Sequence, residues 1–450
     1  MKKITLLAAI LLASLVPAHA RFHPNYDESK VGTYTLPDPL LMSDGRRVAN
    51  TNQWLALRRP EILSLYKEYI YGKSPPACKA VARVWDVDTH ALGGHAIRKQ
   101  INIELFSPIS TNRVVLHVLL YTPADKERAP TFLCLSFDPN YRDVPDPLVA
   151  VYPTWNRKTD KLVPPPRKVV RGKSHNWPVN EIIADGYGIA LVDYNDIEPD
   201  FADGSGWRYG VRALFLKPGQ APNAVPDAWG AISAWAWGAS RILDYLLTDT
   251  NVDPARVIML GHSRLGKTAL WEGAQDSRFP LVIASSSGEM GASLSRRNYG
   301  ETVTSMSKAF PYQFCPNFLQ WSNRIPSMPV DSHMLVSLIA PRPLYLNTGS
   351  LDQWSDPRGE FEAAIAAGPV YRLFGEETVV SNLPPGNAVL NSSVLESFPP
   401  PPLDVPVMHD IGFQTHTGKH DILPQDWRRF LDFADMHFYG KQPHRYLPRK

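Results

Sequence analysis

Five short stretches of this chain are almost continuously apolar: Pro130 to Phe137, Tyr187 to Tyr194, Val257 to Leu260, Leu281 to Ser285 and Pro343 to Asn347. A strand with water on one face alternates apolar and polar residues. Runs like these belong to strands covered on both faces. Helix-like stretches lie between several of them, notably Ala228 to Leu247 and Thr268 to Ala274. Parallel strands joined by helical crossovers read this way. Earlier runs, Lys79 to Val87, Ala96 to Leu105 and Arg113 to Tyr121, alternate and are β-branched, which predicts an antiparallel start to the sheet. A helix from Gln53 to Tyr71, stopped by Gly72, precedes them. A last strand, Asp410 to Thr415, leads into a helix from Gln425 to Tyr439. The expected class is α/β: a mostly parallel central sheet with antiparallel N-terminal strands and flanking helices. Pro-rich stretches at 138–180 and 373–406 are expected to cap or flank a cleft.

Lys2 and Lys3 precede an apolar stretch, Ile4 to Val16, and the small-residue site Ala18-His19-Ala20. Residues 1–20 therefore read as a signal peptide, too short for a comfortable membrane span. The remainder, 21–450, reads as a single catalytic domain, periplasmic or secreted, with no membrane attachment after cleavage and as a monomer. Charges are spread without long runs and the formal net charge is +3, which leaves no footprint for a nucleic-acid partner. Cys78, Cys134 and Cys315 are the only cysteines, and no Cys/His ligand spacing is present. No metal and no cofactor are expected. Whether Cys78 and Cys315 pair is open.

The run Val257 to Lys267 carries the chemistry. An apolar strand meets Gly261, then Ser263, then a helix. A nucleophile elbow needs this order, because small residues must let strand and helix approach around a serine on a strained turn. The usual pattern is G-x-S-x-G; here the second glycine arrives one residue late, at Gly266. Arg264 and Lys267 fall in the first helical turn, where cations oppose the helix dipole at a cost of about 0.3–1 kcal/mol each. An oxyanion or an electron-rich ligand would account for them. A serine also needs a base and an orienting acid. Asp352 follows the strand Pro343 to Asn347, and His420 follows the last strand. Asp356, next to Pro357, reads instead as a helix N-cap. His416 would sit nearer the strand end, while His262 and His333 read as packing residues. The order Ser263, Asp352, His420 on successive βα connections is that of the α/β-hydrolase fold.

At these residues the sequence resembles the bacterial glucuronoyl esterases, carbohydrate esterase family fifteen. The likeness spans most of the chain after residue 20. It includes Leu36 to Leu40, Arg58 to Ile62, Trp229 to Ile232 and Trp235 to Gly238. The run Gly261 to Lys267 is its most specific part, since the late glycine is the family's own variant of the elbow. Tyr299 to Val303, Ile339 to Pro343 and Gly418 to Asp421 complete it. The resemblance implies Ser263 as nucleophile, His420 as base and Asp352 as acid. It implies Arg264 as oxyanion donor through its backbone N–H, helped by its guanidinium. It implies Lys267, Glu301 and Trp354 as contacts of the glucuronate ring. The substrate implied is the ester between glucuronoxylan and lignin alcohols. Alternatives are an esterase on another sugar-linked ester, such as acetyl xylan, or an inactive carbohydrate-binding homologue. Many members carry the acid just after the elbow, where this chain has Ser286, with Glu289 offset by three. The turn Asp138-Pro139-Asn140 puts a second backbone oxyanion donor in doubt, because Pro139 has no N–H.

Overall fold

The computed structural model describes residues 23–382 and 390–446. The signal peptide expected at 1–20 lies outside the described residues. Nine strands form one sheet: β1 (Ala80–His90), β2 (Ala96–Phe106), β3 (Arg113–Pro123), β4 (Ala129–Ser136), β7 (Gly188–Asp193), β8 (Val252–His262), β9 (Leu281–Ser285), β10 (Leu344–Gly349) and β11 (Ile411–His416). Their order is β1-β2-β3-β7-β4-β8-β9-β10-β11. The pairs from β1 to β7 are antiparallel, and those from β7 through β11 are parallel. A separate antiparallel hairpin, β5 (Thr154–Asn156) with β6 (Lys161–Val163), stands within the 138–180 stretch.

The parallel strands are buried on both faces because each face has its own apolar layer. Successive side chains alternate between the two faces. On β4, Leu133 and Leu135 enter one layer, Phe132 and Cys134 the other. On β8, Val257 and Met259 divide from Ile258 and Leu260 in the same way. The first layer packs the helices Ala231–Leu246, Arg264–Gln275 and Pro357–Leu373; the second packs Pro424–Tyr439 through Trp427 and Phe430.

Two local expectations change. The alternation in β1 does not mark a buried face: Val81, Trp85 and Val87 are exposed on this edge strand. The expected helix Gln53 to Tyr71 is broken into Thr51–Gln53, a π turn Trp54–Arg58, and Arg59–Tyr69. Pro60 has no N–H to give to the carbonyl four residues back, so the ladder shifts there. A helix at Val303–Ala309 completes a segment where no element was expected, while Pro357–Leu373 is the helix that the Asp356-Pro357 cap announced. The three cysteines are free thiols.

Candidate active site

Strand β8 delivers Ser263 directly into the helix Arg264–Gln275. Ser263 has φ 58° and ψ −128°, a backbone conformation that a side-chain-bearing residue adopts only under constraint. The constraint is visible. Ser263 N–H donates to the Ser285 carbonyl at 2.8 Å, and the Ser263 carbonyl accepts from Gly266 N at 2.8 Å. A Cβ on Gly261 would stand 1.9 Å from the Leu265 carbonyl oxygen. One on Gly266 would stand 2.9 Å from the Ser285 carbonyl oxygen and 3.1 Å from Ser287 Cβ. The late glycine is therefore required where the helix crosses the end of β9.

The loops that carry Asp352 and His420 are clipped together. Leu351 N–H donates to the Gly418 carbonyl at 2.7 Å, and Ser350 N–H to the His416 carbonyl at 2.9 Å. Asp352 Oδ2 lies 2.6 Å from His420 Nδ1. Burial works to raise the Asp352 carboxyl, but hydrogen bonds from His420 and Ser355 outweigh it and hold it below the usual carboxylate range. The His420 ring lies 4.6 Å from that of His262, the chain neighbour of Ser263. Burial first, and then His420, push His262 down to about 3, so it is neutral at any working pH. Its Nδ1 lies 3.2 Å from Ser285 Oγ, a packing role. His416 is fully buried beside Asp426, and His333 is buried against the Pro37 carbonyl.

The two first-turn cations are each neutralised. Arg264 Nη1 pairs with Asp200, which also accepts from the hydroxyls of Tyr194 and Tyr312, and Arg264 stacks over Phe310. Lys267 Nζ lies 2.9 Å from Glu301 Oε2. Trp354 Nε1 donates to the other oxygen, Oε1, at 3.1 Å, and Glu289 N–H donates to Oε2 at 3.1 Å. Lys267 and Glu301 are buried. A Cβ on Gly288 would stand 2.6 Å from Glu301 Oε2, so only glycine admits the carboxylate there.

Glu289 stands apart from His420. It is buried, accepts from Ser295 Oγ, and is pushed well above the usual carboxylate range, by burial first. Asp356 caps the helix Pro357–Leu373, accepting from Gly359 N at 3.1 Å. In the turn after β4 the amides of Asp138 and Asn140 are directed to Ser136 Oγ and the Tyr152 hydroxyl.

Sequence reasoning missed the residues that hold the machinery. Asp200 sits in the connection after β7, at the carboxyl end of the sheet, where ligands bind in open α/β folds; that position was the available signal. Arg157, from the β5–β6 hairpin, reaches Asp200 at 3.2 Å, so the 138–180 stretch does flank the cleft. His175 and Asn176 bind Asp421 at 2.6 and 2.7 Å, fastening the same stretch to the His420 loop. No sequence signal announced those partners. The described part of 373–406 packs through Leu390 to Ser392 against Tyr34 to Leu36.

A serine on a strained strand–helix turn after β8, with an Asp–His pair after β10 and β11, one strand further on than successive connections would place it because β9 intervenes, defines an α/β-hydrolase of the ester-hydrolase kind. The profile of the family described as "Glucuronyl esterase, fungi" matches residues 225–375. The chain is 42% identical to a glucuronoyl esterase from Solibacter usitatus, covering 91% of this chain and 99% of that one, with TM-score 0.82. It is 39% identical to a structure described as a promiscuous CE15 esterase from a marine bacterial metagenome, covering 92% and 100%, with TM-score 0.80. It is also 39% identical over 424 residues to a carbohydrate esterase from an unknown prokaryotic organism, spanning 92% of each chain. The chain belongs to carbohydrate esterase family 15, the glucuronoyl esterases.

Proposed function

We propose that this carboxylic ester hydrolase cleaves 4-O-methyl-glucuronoyl esters joining glucuronoxylan to lignin alcohols, within one catalytic domain of residues 21–450. Ser263 Oγ attacks the ester carbonyl, and His420 takes its proton. Asp352 holds the imidazole in the productive tautomer and stabilises its protonated form. The Arg264 backbone N–H and guanidinium receive the oxyanion. The alcohol leaves with the proton from His420, and water then releases the uronate from Ser263.

The observation that carries the uronate reading is the buried Lys267–Glu301–Trp354 cluster, placed one helical turn from Ser263. An acetyl ester gives these groups nothing to bind. A glucuronoyl ester presents its sugar ring as the acyl half, with hydroxyls for an ammonium, a carboxylate and an indole N–H. Curated relatives named 4-O-methyl-glucuronoyl methylesterase include one from Podospora anserina, 34% identical over 177 residues. The promiscuity stated for the marine relative favours a second reading, in which acetylated sugars are also accepted. Export as a signal-peptide-bearing precursor belongs to the same proposal. Among the described residues, no helix is long and apolar enough to cross a membrane.

The test is hydrolysis of a benzyl glucuronate ester against acetylated xylan, with labelling by a serine-directed phosphonate. Preferred turnover of the uronate ester and labelling at Ser263 support the reading. Comparable turnover of both substrates supports the second, and turnover of acetylated xylan alone overturns the uronate reading. No labelling at Ser263 overturns both.

A further inference from the structure

The segment Asn25 to Glu28 is fastened to the loop that carries Glu301. Gly300 N–H donates to the Asn25 carbonyl at 2.8 Å, and Asn25 Nδ2 donates to the Asn298 carbonyl at 2.6 Å. Glu28 pairs with Arg297, whose Nε lies 2.9 Å from Asp356 Oδ2, the cap of the helix Pro357–Leu373. Arg297 and Asp356 are both buried, so the exposed Glu28 side chain is tied to an interior ion pair. Between the anchors, Tyr26 meets Tyr299 edge-on, with ring centroids 6.0 Å apart at 63°. Tyr299 accepts from Gln353 Nε2 at 3.1 Å, and Gln353 stands in the chain between Asp352 and Trp354. Tyr299 is buried, yet Tyr26 is 43% exposed. Burial and the Asp352 carboxylate both push the Tyr26 phenol up, which puts the ring within electrostatic reach of the triad acid.

Polar residues dominate this segment, and it buries little of its own. An extended terminal stretch of that composition is ordinarily left free, because fixing each residue costs about 1–2 kcal/mol of backbone entropy. Here its ordering leaves an aromatic ring exposed against Tyr299, whose hydroxyl accepts from Gln353, the chain neighbour of Trp354. A monosaccharide ester needs only the ring site at Lys267, Glu301 and Trp354. In a polymer the uronate continues through its anomeric carbon, and the next sugar must leave across the rim of that site. A pyranose offers an apolar C–H face that suits an aromatic ring, and a phenol adds a hydrogen-bonding tip.

We propose that Tyr26, held in place by Asn25 and the Glu28–Arg297 pair, is a stacking subsite for the sugar that carries the uronate. The N-terminal segment is then part of the polysaccharide site. This rests on the glucuronoyl reading and extends it from the acyl group to the chain behind it.

The experiment measures kcat and KM for wild type, Tyr26→Ala and Tyr26→Phe on two benzyl esters: that of free 4-O-methylglucuronate and that of the same uronate linked to a xylo-oligosaccharide. On the oligosaccharide ester, Tyr26→Ala lowers kcat/KM roughly two- to tenfold through KM, the range of one aromatic contact. Tyr26→Phe restores most of the loss. On the monosaccharide ester Tyr26→Ala changes kcat/KM by less. An equal fall on both esters, a fall in kcat alone, or no fall on the oligosaccharide ester overturns the subsite. Wild-type protein that cleaves neither ester overturns the glucuronoyl reading itself, and the subsite with it.

Discussion

His420 Nδ1 and Asp352 Oδ2 lie 2.6 Å apart, the carboxylate buried and the imidazole half-exposed to the cleft. A buried acid gripping one ring nitrogen leaves the other ring nitrogen out of that bond, as the proposed base requires. Asp352→Asn would favour the wrong tautomer and lower kcat by roughly 10³–10⁴ without unfolding the chain. Glu289→Gln would cost less than tenfold, since Glu289 is buried, its carboxyl pushed up by that burial, and it is engaged by Ser295 rather than by His420. Steady-state rates on a benzyl glucuronate ester decide it. Equal losses, or a worse Glu289 variant, reverse the choice of acid.

Arg264 is held by a carboxylate that also anchors two tyrosines and the β5–β6 hairpin. Removing one oxyanion donor costs about 10²–10³ in kcat, and Arg264→Ala is expected in or just below that range because the backbone N–H remains. Asp200→Asn frees the guanidinium to wander and lowers kcat about tenfold, with KM little changed. An Arg264→Ala enzyme of unaltered kcat contradicts the oxyanion role.

Glu272 lies on the helix that begins at Arg264, fully buried, with Oε1 lacking a hydrogen-bond partner. Burial first, and then Asp276, push its carboxyl up to about 8. An unfolded Glu titrates near 4.3. The folded chain therefore holds a proton that the unfolded chain has lost across roughly pH 4.3 to 8. The stability contribution is complete below the lower value and falls by up to about 1.4 kcal/mol per pH unit until the upper one. Glu272→Gln keeps the shape and removes the titration. Its melting temperature is expected to fall less than that of wild type between pH 5 and 8. Parallel curves for the two proteins contradict this.

Much of the candidate site was legible because its residues are local to strand ends. Ser263, Asp352 and His420 each follow an apolar run, and chain order assigned them. Gly266 was readable as a departure, but its reason, the crossing of β9 at Ser285 and Ser287, is a long-range contact. The cations at Arg264 and Lys267 were noticed as costly for their helix. What offsets them, Asp200 and Glu301, comes from 64 and 34 residues away. Periodicity found the buried strands and the antiparallel β1 as well, although the apolar side of that edge strand stays exposed. The N-terminal clasp left no trace in the pattern, since Asn25 and Glu28 are ordinary polar residues until Asn298 and Arg297 meet them.

The central claim is that the polar cluster beside the elbow recognises a uronate ring. Lys267 and Glu301 form a buried pair, and truncating one partner to alanine would strand a charge at about 3–5 kcal/mol. The direct measurement uses Lys267→Met and Glu301→Gln, which keep the side-chain volume but still unpair the partner's charge and so are each checked by thermal melting, and compares kcat/KM on a benzyl glucuronate ester with that on p-nitrophenyl acetate. A hydrogen bond to a charged group contributes about 1.5–3 kcal/mol, so each variant is expected to lose roughly ten- to a hundredfold on the uronate ester. The acetate, which has no hydroxyls, falls far less. A parallel fall on both substrates, or an undiminished uronate rate, contradicts the account.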